Sequence, residues 1–341
     1  MYNFASDYLE GCTPEILEAL IKVNYKQSPG YGEDEYSRLA KQSIAKAIGR
    51  NDVDIHFVPG GTPCNILGIC SCLKDYQAVI CAESGHINVH ETGAIEAAGH
   101  KILTAPGSNG KISAAEIEAI VKKHTDEHMV QPKMVFISQA SEFGTIYSLE
   151  ELEAIAAVCR QYQLYLYVDG ARLANALVAK GNDVSLANLA ELADMFYIGG
   201  TKNGALLGEA MVIVNDELKK DFRFRLKQRG AMLAKARIMG VSFFVLFNND
   251  LYLKLANHAN KMADALRFIF KTYNIPQYIR SNTNQTFVVI SNELLKKIQE
   301  NYIVTVWGPY DNTHSIVRFV TSWCTKEEAI LQFAEFIKQN H

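Results

Sequence analysis

Apolar positions along this chain follow two periods. Tyr36, Leu39, Ala40, Ile44 and Ala47 share one face at helical spacing, and Gly49 suits the end of that helix. Ahead of it, Thr13-Pro14 has the form of an N-cap with proline at the first helical position, predicting a helix through about Tyr25. Short apolar runs at residues 55–58, 78–82, 101–104, 134–138 and 164–168 read as buried strands. Between them lie helical stretches: one from Gly61 to Leu73, one around residues 89–98, and two opened by the capping boxes Ser113-Glu116 and Ser148-Glu151. Alternation at this spacing predicts an α/β fold, a mostly parallel central sheet flanked by helices.

Residues 195–198 and 210–214 form two further apolar runs, joined by a glycine-lined connection. Residues 216–273 then read as mostly helical, with the basic cluster Arg223 to Arg229. Strand 286–290, helix 293–300, strands near 304–307 and 316–320, and a helix capped by Thr325 with Glu328 predict a smaller α+β unit. We read three parts: residues 1–25 as an N-terminal segment packing with the small domain, 26–245 as the large domain, and 246–341 as the small C-terminal domain.

Composition narrows the class. The 341 residues are 48% hydrophobic and 21% charged, an ordinary globular balance. A net charge of −3 without a long basic run argues against nucleic acid as a partner. The start of the chain lacks a basic, apolar leader and no run of about 18 apolar residues occurs, so a cytoplasmic protein off the membrane is expected. Seven cysteines without a CxxC pair suit buried thiols in a reducing compartment, and no metal site is expected.

Candidate chemistry gathers around Lys202, in Phe-Tyr-Ile-Gly-Gly-Thr-Lys-Asn-Gly. A lysine held among small residues beside a sheet loses part of its preference for the ammonium form, and a neutral amine attacks aldehydes. The alternative is a solvated loop lysine. Four other features fall where parallel strands end, which is where such sheets bind ligands. Gly60-Gly61-Thr62 precedes a helix and is either a plain cap or a phosphate turn. Asp169 ends a strand and serves either as an N-cap or as partner to a protonated heteroaromatic nitrogen. Arg172 meets either an anionic oxygen or Asp169 itself. His86 is either a backbone-bonded loop histidine or a group that stacks on a planar ring and moves protons. Together with Lys202 they make the inventory that a pyridoxal 5′-phosphate site requires.

Ser6-Asp7, Tyr31-Gly-Glu-Asp34, Gly61-Thr62 with Asn65, His86-Ile with Glu91-Thr-Gly-Ala, and Asp169-Gly-Ala-Arg-Leu-Ala-Asn-Ala resemble the threonine aldolase/β-eliminating lyase branch of fold-type I pyridoxal-phosphate enzymes. The resemblance runs from residue 6 to Arg318-Phe-Val-Thr-Ser-Trp323. It implies that Lys202 bonds to the cofactor aldehyde and that Asp169 partners the pyridine nitrogen. Gly61 and Thr62 would hold the phosphate, and His86 would stack on the ring and act as base, with Glu91 nearby. Ser6, Arg172 and Arg318 would receive the substrate carboxylate. Tyr31 and Lys227 would reach a neighbouring subunit's site in a homodimer or homotetramer. The chain departs from the family at Thr201-Lys-Asn-Gly-Ala, at Glu35, and at Arg229-Gly-Ala-Met-Leu-Ala-Lys235.

The implied activity is cleavage of the Cα–Cβ bond of threonine or allo-threonine to glycine and acetaldehyde. β-Elimination or transamination of another amino acid is the second reading. A catalytically idle binding partner is the third, and retention of Lys202, Asp169, Arg172, His86 and Arg318 together speaks against it.

Overall fold

Period-two alternation decides which face of the central sheet each strand residue serves. In the computed structural model, which describes residues 1–248 and 250–341, Leu166, Val168, Phe196, Ile198, Ala210 and Val212 feed one core. Their strand neighbours Tyr167, Met195, Tyr197, Met211 and Ile213 feed a second core on the opposite face. Helix Gly61–Cys72 covers that second face with Cys64, Leu67 and Ile69.

The sheet runs, edge to edge, Asp54–Val58, Glu209–Ile213, Met195–Gly199, Tyr165–Asp169, Gln131–Ser138, Gln77–Ala82, Lys101–Ala105. Glu209–Ile213 is antiparallel to both neighbours, and the remaining pairings are parallel. Met195–Gly199 and Glu209–Ile213 therefore form the expected pair of buried strands around the lysine loop. Where Tyr165–Asp169 ends, the next strand passes so close that a Cβ on Gly170 would stand 1.8 Å from the Tyr197 carbonyl oxygen. Glycine after the aspartate is a steric requirement of this crossing.

Two local expectations are corrected. The helix around residues 89–98 is two short ones, His86–Val89 and Ala94–Ala97, because Thr92 and Gly93 adopt φ of 53° and 70°. That left-handed backbone cannot continue a right-handed helix. The last helix, Glu327–Asn340, begins after Lys326 and takes no side-chain cap. Thr325 Oγ1 instead accepts from Ser322 N at 2.8 Å, so its capping capacity is spent on the preceding turn.

A second sheet orders Thr305–Pro309, His314–Val320, Gln285–Ser291 and Gln277–Ile279, all antiparallel. Tyr2–Asn3 pairs with Tyr302–Ile303, and Phe4 packs with Phe319 and Phe333 in the core beside that sheet. Helix Leu251–Thr272 serves both parts, giving Tyr252 and Ala256 to the large core and Leu266 and Phe270 to the smaller. Among the described residues, no helix is long and apolar enough to cross a membrane.

Candidate active site

Because Asp169 lies two residues beyond Tyr167, its carboxylate emerges on the face that Tyr197 and helix Gly61–Cys72 share. Oδ1 accepts from the Tyr197 hydroxyl at 2.5 Å and from Ala171 N at 2.9 Å. Oδ2 accepts from Asn65 Nδ2 at 3.1 Å. That amide nitrogen also reaches Glu91 Oε1 at 2.7 Å, and the Tyr167 hydroxyl holds the Asn65 carbonyl at 3.1 Å. Glu91 Oε1 closes the chain on His86 Nδ1, again at 2.7 Å. A carboxylate only accepts, so this contact assigns a hydrogen to Nδ1. Asp169 and His86 are thus fixed by one buried network running through Asn65 and Glu91.

Lys202 stands on the loop between the two antiparallel strands. Glu209 Oε2 grips that loop by accepting from Gly200 N at 2.7 Å, and Thr201 Oγ1 accepts from Gly208 N at 3.0 Å. Among the described residues the Lys202 amine makes no hydrogen bond or ion pair. Burial pushes its pKa down and the Arg172 cation adds to this, against Asp7, Asp169 and Glu209. Burial pushes the Glu209 carboxyl up to about 7, although Thr201, Gly200 and Lys202 oppose it. No acidic residue lies between Asp194 and Glu209 in the chain, and folding lays Glu209 against the lysine loop.

Arg172 pairs with Asp7, not with Asp169. Nε and one terminal nitrogen reach the two Asp7 oxygens at 2.7 and 3.0 Å. Asn284 Nδ2 adds a third bond to Asp7 at 2.9 Å. Burial alone would raise the Asp7 carboxyl, but Arg172 and Lys202 outweigh it and hold it below 3.8. Arg318 is less well satisfied. Its contacts to Gln285 and the Ala5 carbonyl are long, at 3.5 and 3.3 Å, and its buried Nε has no partner among the described residues. Its guanidinium carbon lies 5.3 Å from the Trp307 ring centre. Burial, then the Arg172 charge, pushes Arg318 down to about 10, still cationic at neutral pH.

A cavity of about 500 Å³ joins these groups, lined by Ser6, His86, Glu142, Arg172, Lys202 and Arg318 together with Tyr8, His90 and Trp307. Asp169 and Glu91 lie behind it, buried. Gly61 begins the helix that carries Asn65, and a Cβ there would meet the Tyr197 hydroxyl oxygen at 3.2 Å. Tyr31 and Lys227 do not line the cavity; they meet each other, with the lysine amine 4.6 Å from the exposed ring's centre. Sequence reasoning missed Tyr197, Glu142 and Glu209. Tyr197 lies within strand Met195–Gly199, Glu142 follows strand Gln131–Ser138 by four residues, and Glu209 opens strand Glu209–Ile213; proximity to buried strand ends and to the lysine loop is the signal that points to them.

The residues fit pyridoxal 5′-phosphate. An amine without a partner among the described residues faces the cavity, a carboxylate fixed by three donors stands behind it, and a helix N-terminus carrying glycine abuts the same tyrosine. Arg318 Nε offers an unspent donor to an anion.

Residues 3–293 match the family described as beta-eliminating lyase. A low specificity L-threonine aldolase of a Pseudomonas species is 32% identical over 98% of this chain and 97% of its own length. The structure of a threonine aldolase from Leishmania major is 42% identical, with a TM-score of 0.98 over 99% of both chains. An aspartate aminotransferase from Thermus thermophilus shares 12% identity and a TM-score of 0.74 over 100% of this chain and 92% of that one. This last likeness is one of fold alone, and it is the fold-type I architecture.

Proposed function

This chain belongs to the beta-eliminating lyase family, and on that footing we propose that it is a pyridoxal-phosphate-dependent lyase cleaving the Cα–Cβ bond of L-threonine or allo-threonine to glycine and acetaldehyde. The observation that carries the reading is the single cavity where Lys202, His86, Arg172 and Arg318 converge in front of Asp169. The threonine aldolase names of the Pseudomonas and Leishmania relatives support the same substrate.

When bound, pyridoxal phosphate supplies an electron sink for the pair released at Cα. In this proposal Lys202 would hold its aldehyde, Asp169 would partner its ring nitrogen, Gly61 and Thr62 would receive its phosphate, and His86 would stack on its ring. Tyr197 and Asn65 keep the Asp169 carboxylate aimed, and Glu91 acts on His86 by fixing its tautomer. Arg318, whose Nε lacks a partner among the described residues, takes the substrate carboxylate with Ser6. Arg172 contributes from a position already committed to Asp7. Lys202, whose pKa burial and the Arg172 charge push down, would exchange the proton at Cα.

We place the protein in a homodimer or homotetramer, with Tyr31 and Lys227 at a subunit boundary. Ile21, Tyr25 and Phe224, exposed at 74%, 95% and 76%, support a covered surface in the assembly. Incubation of the cofactor-loaded protein with threonine and allo-threonine tests the reaction. Glycine and acetaldehyde are expected; pyruvate with ammonia, or a new amino acid formed from an added keto acid, contradicts it.

A further inference from the structure

Resting on that reading, we propose that Glu142 is the group that receives the substrate's β-hydroxyl proton. Among the residues lining the cavity, Glu142 is the one carboxylate. It comes just after strand Gln131–Ser138, whose last residue pairs with Asp169, so the fold sets it at the sheet edge where the reaction is placed. Its Oε1 is committed, accepting from His86 N at 3.0 Å and from Ser138 Oγ at 2.7 Å. Both of these bonds fall on Oε1, and neither takes up Oε2, which is left for a ligand.

Geometry excludes the neighbouring carboxylate from the task. Glu91 does not line the cavity, and its Oε1 is shared between Asn65 and His86. His86 is oriented by that bond for its position against the ring. Glu142 faces the cavity directly. Burial raises its pKa, against the hydrogen bond from Ser138, which brings the carboxyl toward the range where it both takes and returns a proton. The step balances. The β-hydroxyl O–H bond breaks toward Oε2 as the C–O bond becomes C=O and the Cα–Cβ bond breaks. The electron pair of that bond remains at Cα, and a proton later delivered there completes glycine.

Glycine has no β-hydroxyl, and this separates the role of Glu142 from mere support of the site. We compare wild type and E142Q, both loaded with cofactor, in three measurements: acetaldehyde release from L-threonine, exchange of the glycine Cα proton in D₂O, and glycine affinity by calorimetry. Threonine kcat is expected to fall about 100-fold or more, the scale of a lost general base. Glycine exchange and glycine affinity are expected to stay at wild-type values. The acid limb of kcat/KM for threonine should vanish in E142Q and return, displaced, in E142D. Charged and titratable groups facing Glu142 are His86 and Cys81, Asp169 and Arg172, and Tyr147. Their persistence in the variant assigns the lost limb to the carboxyl. Unimpaired threonine cleavage by E142Q, or equal losses in cleavage and exchange, overturns the proposal. A wild type that exchanges glycine but cleaves no β-hydroxy amino acid overturns the aldol reading itself.

Discussion

Arg172 grips Asp7 through two hydrogen bonds of 2.7 and 3.0 Å, tying the N-terminal segment to the floor of the cavity. Breaking a buried ion pair by removing one member strands the other charge, which costs about 3–5 kcal/mol. Asp7→Asn should therefore lower the unfolding free energy by that order, read as a lower urea midpoint. Asp7 has its folded pKa held below 3.8, so the pair's contribution is present above that value and is lost as the pH falls through the folded pKa. The stability difference between wild type and the variant should shrink in acid.

Tyr197→Phe removes the 2.5 Å bond to Asp169 and leaves the ring in place. A hydrogen bond to a charged group is worth about 1.5–3 kcal/mol. Cofactor affinity, read by equilibrium dialysis, should fall about tenfold or more. Unchanged affinity would separate Tyr197 from cofactor binding.

Arg318→Ala should act on the substrate and not on the cofactor. Loss of one charged contact to the carboxylate predicts a rise of about tenfold or more in KM for threonine, with kcat changed less. A variant that keeps the wild-type KM removes Arg318 from carboxylate recognition.

Glu209 supplies a pH test. Its carboxyl is pushed up from 4.5 to about 7 by burial, so the folded chain holds this proton more tightly than the unfolded one. Stability from this group is greatest below pH 4.5 and declines as the pH rises toward 7. Denaturant midpoints measured across that window should slope downward in wild type and flatten in Glu209→Gln. A slope that survives the substitution belongs to other groups.

Much of this arrangement is legible in residue order, because strand periodicity and end-of-strand position are local properties. Asp169 followed by glycine and Lys202 between glycines are local signals, and the structure brings both to one site. The Asp7 partner of Arg172 is not local: it comes from 165 residues away, and no pattern within a window specifies it. Glu209 was hidden for a related reason, since an acidic residue opening a buried strand reads as a boundary until the loop above it folds back. The break at Thr92-Gly93 shows a third limit. An apolar spacing suited to one helix gave way to two left-handed residues that turn the chain between His86–Val89 and Ala94–Ala97.

The central claim is that Lys202 alone bonds the cofactor. Reduction of the purified protein with borohydride, followed by peptide mass spectrometry, tests it most directly. The account predicts one pyridoxyl phosphate adduct, on the peptide containing Lys202, and none in Lys202→Ala. An adduct on a different lysine, or a Lys202→Ala protein that still cleaves threonine at the wild-type rate, would contradict it.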